Sequence, residues 1–535
     1  MKLSRRNFLK ASGAIGAVGA MSTVTGCMAE EKKPNVLMIC IDDLNDWIGG
    51  LRGHVQAYTP NIDKLMAKST NFTNAHCAVP VCGPSRNATF TGMRPETTGW
   101  YTNKELGMKN FDQIAEKVLG KTPTLPQHFK ANGYTTLACG KIFHHGTSDY
   151  RAELQWDLVQ APYEIKNPEF LRRGFGYGQY GVNDHKYYPF PEDGGQIVTT
   201  FGPNVAGKSM CWGALDADDI PMGGKMPDEY FADWAIEQLQ NDYEKPFLLA
   251  TGFVRPHMPY TAPKEYFDMF PLDSIQMPEL TEDEMKDIPL YGKAMALGVV
   301  PGLGDHGAVE KVSPTFWKEL VRANLACIAF VDAQIGRVLE AFEQSKYKDN
   351  TIVTLWSDHG QNFGEHRNWR KNTLWEESTR IPLVIRRAGQ TNGAECKQAV
   401  SLMDYYPTLV QLCGLPEVTT NEGLSLVPLL NSPEFDRKAP AVTTWGFRNH
   451  AVRDERWRYI RYRDGSEELY DHTIDPNEHH NIAADSQFDG IKKELAQWIP
   501  ASNILPYGME DFSTGDFLEK RIQEWEDTQV PEFLL

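Results

Sequence analysis

The sequence is short of positive charge, of paired cysteines and of long apolar runs, and each deficit removes a class of protein. Among 535 residues, 54 Lys and Arg face 71 Asp and Glu, for a formal net charge of −17. That balance does not suit a nucleic-acid binder, which must neutralise phosphates, and it argues against capture of a polyanion over a broad surface. An anionic substrate would need positive charge gathered in a pocket. The nine cysteines stand at irregular spacings with no C-x-x-C pair, so neither a zinc site nor a dense disulfide framework is indicated. One or two disulfides stay open. Beyond residue 24 no segment is long and apolar enough to span a bilayer, and no internal repeat or low-complexity tract interrupts the chain.

What is present begins with an address. Ser4-Arg5-Arg6-Asn7-Phe8-Leu9-Lys10 reads as a twin-arginine export motif, and the Gly/Ala-rich run from Ala11 to Val24 is too short for a transmembrane helix. Val24-Thr25-Gly26-Cys27 resembles a lipobox. Cys27 would then be lipidated and would attach an exported, periplasmic or cell-surface protein to the membrane. Residues 1–33 are expected to be signal and tether.

The remaining length suits one large domain with a smaller one. Apolar β-branched runs alternate with helical segments, the pattern of an α/β domain with a mostly parallel sheet flanked by helices. Asn35–Ile41, Thr135–Cys139, Phe247–Thr251 and Thr351–Trp356 read as buried strands, and Thr59-Pro60 opens a helix through Met66 with threonine as cap. Residues 165–230 and 280–312 lack periodicity and read as long insertions. After about residue 432 the pattern changes. Trp457–Tyr462, a turn at Asp464-Gly465 and Glu468–Tyr470 read as an antiparallel hairpin. The expected division is a main domain over 34–432 and a C-terminal subdomain with an antiparallel sheet over 433–535. The tail bearing Trp498, Phe512, Phe517 and Trp525 is expected to fold back on the body.

Each of the four strand-like runs is followed by chemistry: Asp42-Asp43, Gly140-Lys141, Arg255 with His257, and Ser357-Asp358-His359-Gly360. Open parallel sheets bind ligands beyond the carboxyl ends of their strands, so four such deposits point to one shared site. Asp42, Asp43 and Asp358 offer the oxygen ligands that a hard divalent cation prefers. Alone, an Asp-Asp pair after a strand reads equally well as a turn with a helix cap. His359 is an unusual partner for calcium, so it either ligates the metal or contacts a bound anion. Ca²⁺, Mg²⁺ and Mn²⁺ all stay open. Cys82-Gly83-Pro84-Ser85-Arg86 puts a cysteine where a helix can start, with Pro84 in the first turn. Alone, a small buried core cysteine is an equal reading.

The motifs together carry a resemblance. They are Ile41-Asp42-Asp43-Leu44, Thr59-Pro60-Asn61-Ile62-Asp63, C-x-P-S-R at Cys82–Arg86 with Thr91-Gly92 beyond it, and Gly140-Lys141-Ile142-Phe143-His144. Arg255-Pro256-His257 and Ser357–Gly360 follow, with Gly364-Glu365-His366 and Lys371. In this order they span nearly the whole chain, which resembles the type I, formylglycine-dependent sulfatases of the alkaline phosphatase superfamily, and among these the iduronate-2-sulfatases.

The resemblance implies an alkaline phosphatase-like fold and a sulfuric ester hydrolase whose Cys82 is oxidised to formylglycine by a maturation enzyme before export. It implies that Asp42, Asp43, Asp358 and His359 hold the cation with the residue made from Cys82, and that Arg86 fixes that residue's hydroxyl. Lys141 and Lys371 would bind sulfate oxygens, His144 would take a proton from the formylglycine hydrate, and His257 would stand at the leaving oxygen as its acid. The implied substrate is a sulfated glycan. Asn45-Asp46 stands where the iduronate enzyme has Arg-Pro, so an anion-recognising side chain is missing there. Arg172, Arg173 and His185 are candidates for sugar contacts. The alternatives are a phosphodiesterase or phosphonate monoester hydrolase of the same superfamily, and a polysaccharide-binding protein with a degenerate site. The lack of ligands for a second transition metal disfavours the first, and the complete motif set disfavours the second.

Overall fold

Asn35–Ile41 forms the central strand, β1, with all seven side chains buried. Leu37, Ile39 and Ile41 enter one apolar cluster, while Val36, Met38 and Cys40 enter a second. A strand covered on both faces needs no polar alternation, which is why it appears in the sequence as an unbroken apolar run. This computed structural model describes residues 32–103, 118–144, 152–160, 212–215, 225–258, 260–296, 306–307, 309–310, 314–507, 520, 522–523 and 525. The described residues from Pro34 onward belong to one compact unit.

After β1 the main sheet takes β2 (Thr70–Phe72), β3 (Thr135–Gly140), β4 (Leu158–Val159), β5 (Phe247–Phe253), β6 (Thr351–Ser357), β7 (Leu383–Arg386) and β8 (Ala394–Cys396). They lie side by side as β8-β2-β7-β6-β1-β5-β3-β4. From β6 through β4 the strands are parallel, and β7 runs antiparallel to both its neighbours. The helices α1 (Pro60–Met66), α2 (Cys82–Thr91), α3 (Pro227–Gln240), α4 (Phe316–Gln344) and α5 (Tyr405–Leu412) cover the two faces. Side chains of α1, α3 and α4 join the first cluster, and those of α2 and α5 join the second.

Register positions the site. Ile41 lies opposite both Phe253 and Ser357, and Gly140 lies opposite Gly252. The carboxyl ends of β1, β3, β5 and β6 therefore finish nearly level and release their charged residues along one edge. Gly140 makes this close approach sterically feasible: its φ is +72°, and a Cβ there would fall 1.9 Å from the Gly252 carbonyl oxygen.

A second sheet, β9 (Ala441–Thr444), β10 (His450–Arg453), β11 (Trp457–Arg461) and β12 (Glu467–Asp471), is antiparallel throughout. It contains the expected hairpin, with Gly465 at φ +90° in the turn. Its buried Arg458 pairs with Glu376 and Glu478 and donates 2.9 Å to the Leu374 carbonyl. This ties the second sheet to the segment that follows Lys371.

Some expectations need correction. Residues 280–312 include a buried helix, Leu290–Ala296, and residues 165–230 include the strand Trp212–Leu215 and the start of α3. Thr59 is the cap position of α1, but its hydroxyl accepts from Gly49 N at 2.9 Å; Asp332 of α4 instead accepts from the Asn61 and Ile62 amides, at 3.1 and 2.8 Å. The seven described cysteines are free and buried, so no disulfide forms among them. Trp525 packs on the third apolar cluster, whereas Trp498 is 42% exposed. Cys27, Arg172, Arg173, His185, Phe512 and Phe517 lie outside the described residues.

Candidate active site

Extended Val81, at φ −158° and ψ 139°, turns directly into α2, so Cys82 stands at the helix start; Gly92 ends the helix at φ +67°. Every residue of α2 is buried. Asn103 braces the start: its Oδ1 accepts from Gly83 N at 3.1 Å, and its Nδ2 lies 3.9 Å from Cys82 Sγ.

The strand ends close around this thiol. Atoms of Asp42, Cys82, Asp358 and His359 lie within 4.8 Å of one another, and so do atoms of Asp42, Asp43 and His257. Asp43 adopts φ +62°, a conformation uncommon outside glycine, and its amide donates 3.2 Å to Asp358 Oδ1. His359 Nδ1–H donates 2.8 Å to the Gly360 carbonyl. That bond fixes the tautomer and turns Nε2 inward, 3.2 Å from Asp43 Oδ1. Nε2 is buried without a hydrogen-bond partner among the described residues. Three carboxylates and one inward imidazole nitrogen within ligand reach of one another are a donor set that fits a divalent cation.

Arg86 binds the ends of the strands around the thiol. Its guanidinium is fully buried, with Nε 2.7 Å from Asp358 Oδ2, one Nη 2.6 and 3.0 Å from the carbonyls of Lys141 and Ile142, and the other Nη 3.3 Å from Asp42 Oδ1 and 3.5 Å from the Ile41 carbonyl. All of its donors are therefore on protein acceptors. Arg86 clamps the ends of β1, β3 and β6 together.

Two ammonium groups flank the thiol. Lys141 pairs with Asp42; Lys371 lies 2.7 Å from Asp43 Oδ1 and 3.9 Å from Cys82 Sγ. His144 hydrogen-bonds Cys82. Burial alone would raise the Cys82 pKa, but Lys371, Lys141 and His144 outweigh it and hold the thiol well below its usual range. Burial also opposes ionisation of Asp42, yet Lys141, His257, Arg86 and Lys371 hold it well below the carboxylate norm. Asp358 is pushed up to about 6 by burial against Arg86. Burial opposes the charged form of Lys141, and Asp42 nevertheless keeps its pKa raised.

His257 comes from the segment after β5. Its Nδ1–H donates 2.5 Å to the Met258 carbonyl, leaving Nε2 facing inward, 3.9 Å from Asp42 and 4.0 Å from Asp43. Burial lowers its pKa, in part offset by Asp43 and Asp42. Asp228, absent from the sequence expectation, and Arg255 hold it there. Asp228, in the first turn of α3, accepts from the Val254 and Arg255 amides at 2.7 and 3.2 Å. Arg255 donates to Thr261 O at 2.7 Å and to the His257 carbonyl at 3.3 Å, so its role here is to fold the loop. The sequence signal for Asp228 is an acidic residue beside Pro227 in a helix first turn, which does not reveal a partner in another element.

This constellation matches a known family. Residues 34–415 match the family model described as Sulfatase. The chain belongs to the sulfatase family. It is accordingly a sulfuric ester hydrolase. Residues 364–503 match N-sulphoglucosamine sulphohydrolase, C-terminal, and residues 2–22 match the twin-arginine translocation signal sequence, which marks the chain for export. Among the described residues no helix is long and apolar enough to cross a membrane.

A sulfatase of Formosa agariphila is 37% identical, covering 91% of this chain and 92% of its own length. Human iduronate 2-sulfatase is 28% identical over 71% of this chain and 69% of its own. Among solved structures, a 2-O GAG sulfatase shares the fold at 21% identity and TM-score 0.62, covering 87% of this chain and 91% of its own. The phosphonate monoester hydrolase of Agrobacterium radiobacter does so at 22% identity and TM-score 0.64, covering 87% and 94%.

Proposed function

We propose that this sulfatase hydrolyses sulfate esters of a sulfated carbohydrate, with Cys82 as the precursor of its nucleophile and a divalent cation at Asp42, Asp43, Asp358 and His359. The observation that carries the reading is the placement of the Cys82 thiol between two buried ammonium groups and the carboxylate cluster. Sγ stands for an oxygen of the hydrated aldehyde that oxidation would leave at this carbon. When present, formylglycine supplies as its hydrate one hydroxyl to attack sulfur and a second whose deprotonation expels sulfate. The cation would lower the charge on nucleophile and ester oxygens.

The chain's own residues do the rest. Lys141 and Lys371 approach the thiol from separate strand ends and would bind sulfate oxygens, offsetting charge in the transferring group. His144, bonded to the thiol, is placed to take the hydrate's proton. His257 Nε2, open toward the cluster, is placed to protonate the leaving sugar oxygen. Arg86 holds the carboxylates in place. We assign 433–535 as a C-terminal subdomain and Cys27 as a lipid-attachment site, with the modification made before twin-arginine export.

Sulfate release from defined sulfated oligosaccharides tests the assignment, with mass analysis of the Cys82 peptide alongside. Turnover should accompany formylglycine, and Cys82→Ala should fold normally without turnover. An unmodified thiol in active protein, or activity in Cys82→Ala, would refute the mechanism. Faster turnover of a phosphonate monoester than of any sulfate ester would favour the alternative substrate class.

A further inference from the structure

Of the two lysines that flank the thiol, Lys141 leaves the six-residue strand β3 directly, whereas Lys371 has no comparable support. It follows the two-residue strand Trp369–Arg370 and precedes the short helix Glu376–Thr379, in a stretch without regular structure. A lysine ammonium rides on a flexible four-carbon stem. Holding it 2.7 Å from Asp43 Oδ1 and 3.9 Å from Cys82 Sγ therefore calls for a backbone origin fixed from outside the segment.

Asn372 supplies that fixed point. It adopts φ +78°, a left-handed conformation that asparagine tolerates better than most residues. Its amide donates 3.2 Å to the Pro80 carbonyl, two residues before Cys82, and its Oδ1 accepts from Trp445 Nε1 at 3.1 Å. Trp445 is itself buried, in the third apolar cluster with Leu374 and Trp375. The strand that leads into Trp445 also holds the approach to the thiol. Thr443 Oγ1 donates 2.6 Å to the Cys77 carbonyl, and Thr444 N donates 2.9 Å to the Ala78 carbonyl. The end of β9 is thus bonded to both chain segments whose separation sets the distance from Lys371 to Cys82.

We infer that Trp445 is a positioning residue for catalysis: through Asn372 it fixes the reach of the Lys371 ammonium to the group at Cys82. The antiparallel sheet is then a wall of the active site rather than an appended support. The inference rests on the sulfate-binding role of Lys371 in the proposed function. Its leverage is geometric, because a misplacement of about 1 Å in a reacting site costs about 100-fold in rate.

The test uses the full-length, formylglycine-bearing enzyme on sulfated oligosaccharides, with nitrophenyl sulfate in parallel. Trp445→Phe removes the indole N–H and keeps an aromatic ring in the cluster. Asn372→Gly removes the acceptor and keeps a residue at ease with positive φ. Each should lower kcat/KM by about 10- to 100-fold. The fall in kcat should exceed the rise in KM, because the charge that Lys371 offsets grows as sulfur transfers. The double variant should be no worse than either single one, since both remove the same bond. Melting curves and the formylglycine content of the Cys82 peptide should match wild type throughout. Wild-type kcat/KM in Trp445→Phe or Asn372→Gly, losses that multiply in the double variant, or losses that track melting temperature or formylglycine content overturn the inference. Lys371→Ala should lose at least as much as either variant, and wild-type turnover there would overturn the sulfate-binding role together with the inference. Turnover of nitrophenyl sulfate but of no sugar would overturn the carbohydrate reading alone, with the variants still compared on the aryl ester.

Discussion

Replacing Arg86 by methionine separates two accounts of this residue. If Arg86 served only to orient one hydroxyl at Cys82, Arg86→Met would lose activity and keep its stability. A structural load comes on top of any such role, because the guanidinium is fully buried, is 2.7 Å from Asp358 and 3.3 Å from Asp42, and satisfies three backbone carbonyls. Removing one partner of a buried ion pair costs about 3–5 kcal/mol, since the remaining charge stays in a poor solvent. Unfolding entropy near 2.1 cal/mol/K per residue gives roughly 1 kcal/mol/K for a chain of roughly 500 residues. The expected fall in Tm is therefore about 3–5 °C. Differential scanning calorimetry should be run first in chelator, where the carboxylates have no other cation. Adding Ca²⁺ should then recover part of the loss, because a cation at Asp42 and Asp358 replaces some of the missing charge. A Tm within about 1 °C of wild type in chelator would refute the clamp.

Two further outcomes follow from the His257 segment. If His257 acts as an acid it must be protonated, and burial has lowered its pKa below the ordinary 6.5. The protonated fraction is lost as pH rises through that lowered value, so the alkaline limb of kcat/KM should lie below pH 6.5. A bound cation would push it the same way. An alkaline limb above that pH, or one that survives in His257→Gln, would contradict the role. Asp228→Ala should leave the Val254 and Arg255 amides without their acceptor, at about 1–3 kcal/mol for each. Thermal melting should register that loss, and kcat should fall more than KM rises because His257 shifts. An unaltered kcat would remove Asp228 from the positioning of the site.

Much of the architecture was legible because its signals are local. Strands buried on both faces are unbroken apolar runs, so β1, β3, β5 and β6 could be read with the charged residues that follow them. The hairpin at Asp464-Gly465 was legible from alternation and turn chemistry. The helix Leu290–Ala296 was not, because its sequence is mixed in character and it is buried through packing on Trp375 and Tyr462 far along the chain. Asp228 and Asn103 were missed for a related reason. Their importance lies in backbone amides and a thiol that belong to other elements.

The sequence by itself determined the inventory: an export address, a cysteine at a helix start, three carboxylates, two lysines and three histidines at recognisable positions. Tertiary structure alone decided what each one faces. Strand register made the carboxyl ends level, and Arg86 proved to be spent on Asp42, Asp358 and three carbonyls. The second sheet brought Trp445 against Asn372, the residue after Lys371. The physical reason is that a side chain's functional groups are written in its own position. Its desolvation, charge partners and free donors are set through space by residues hundreds of positions away.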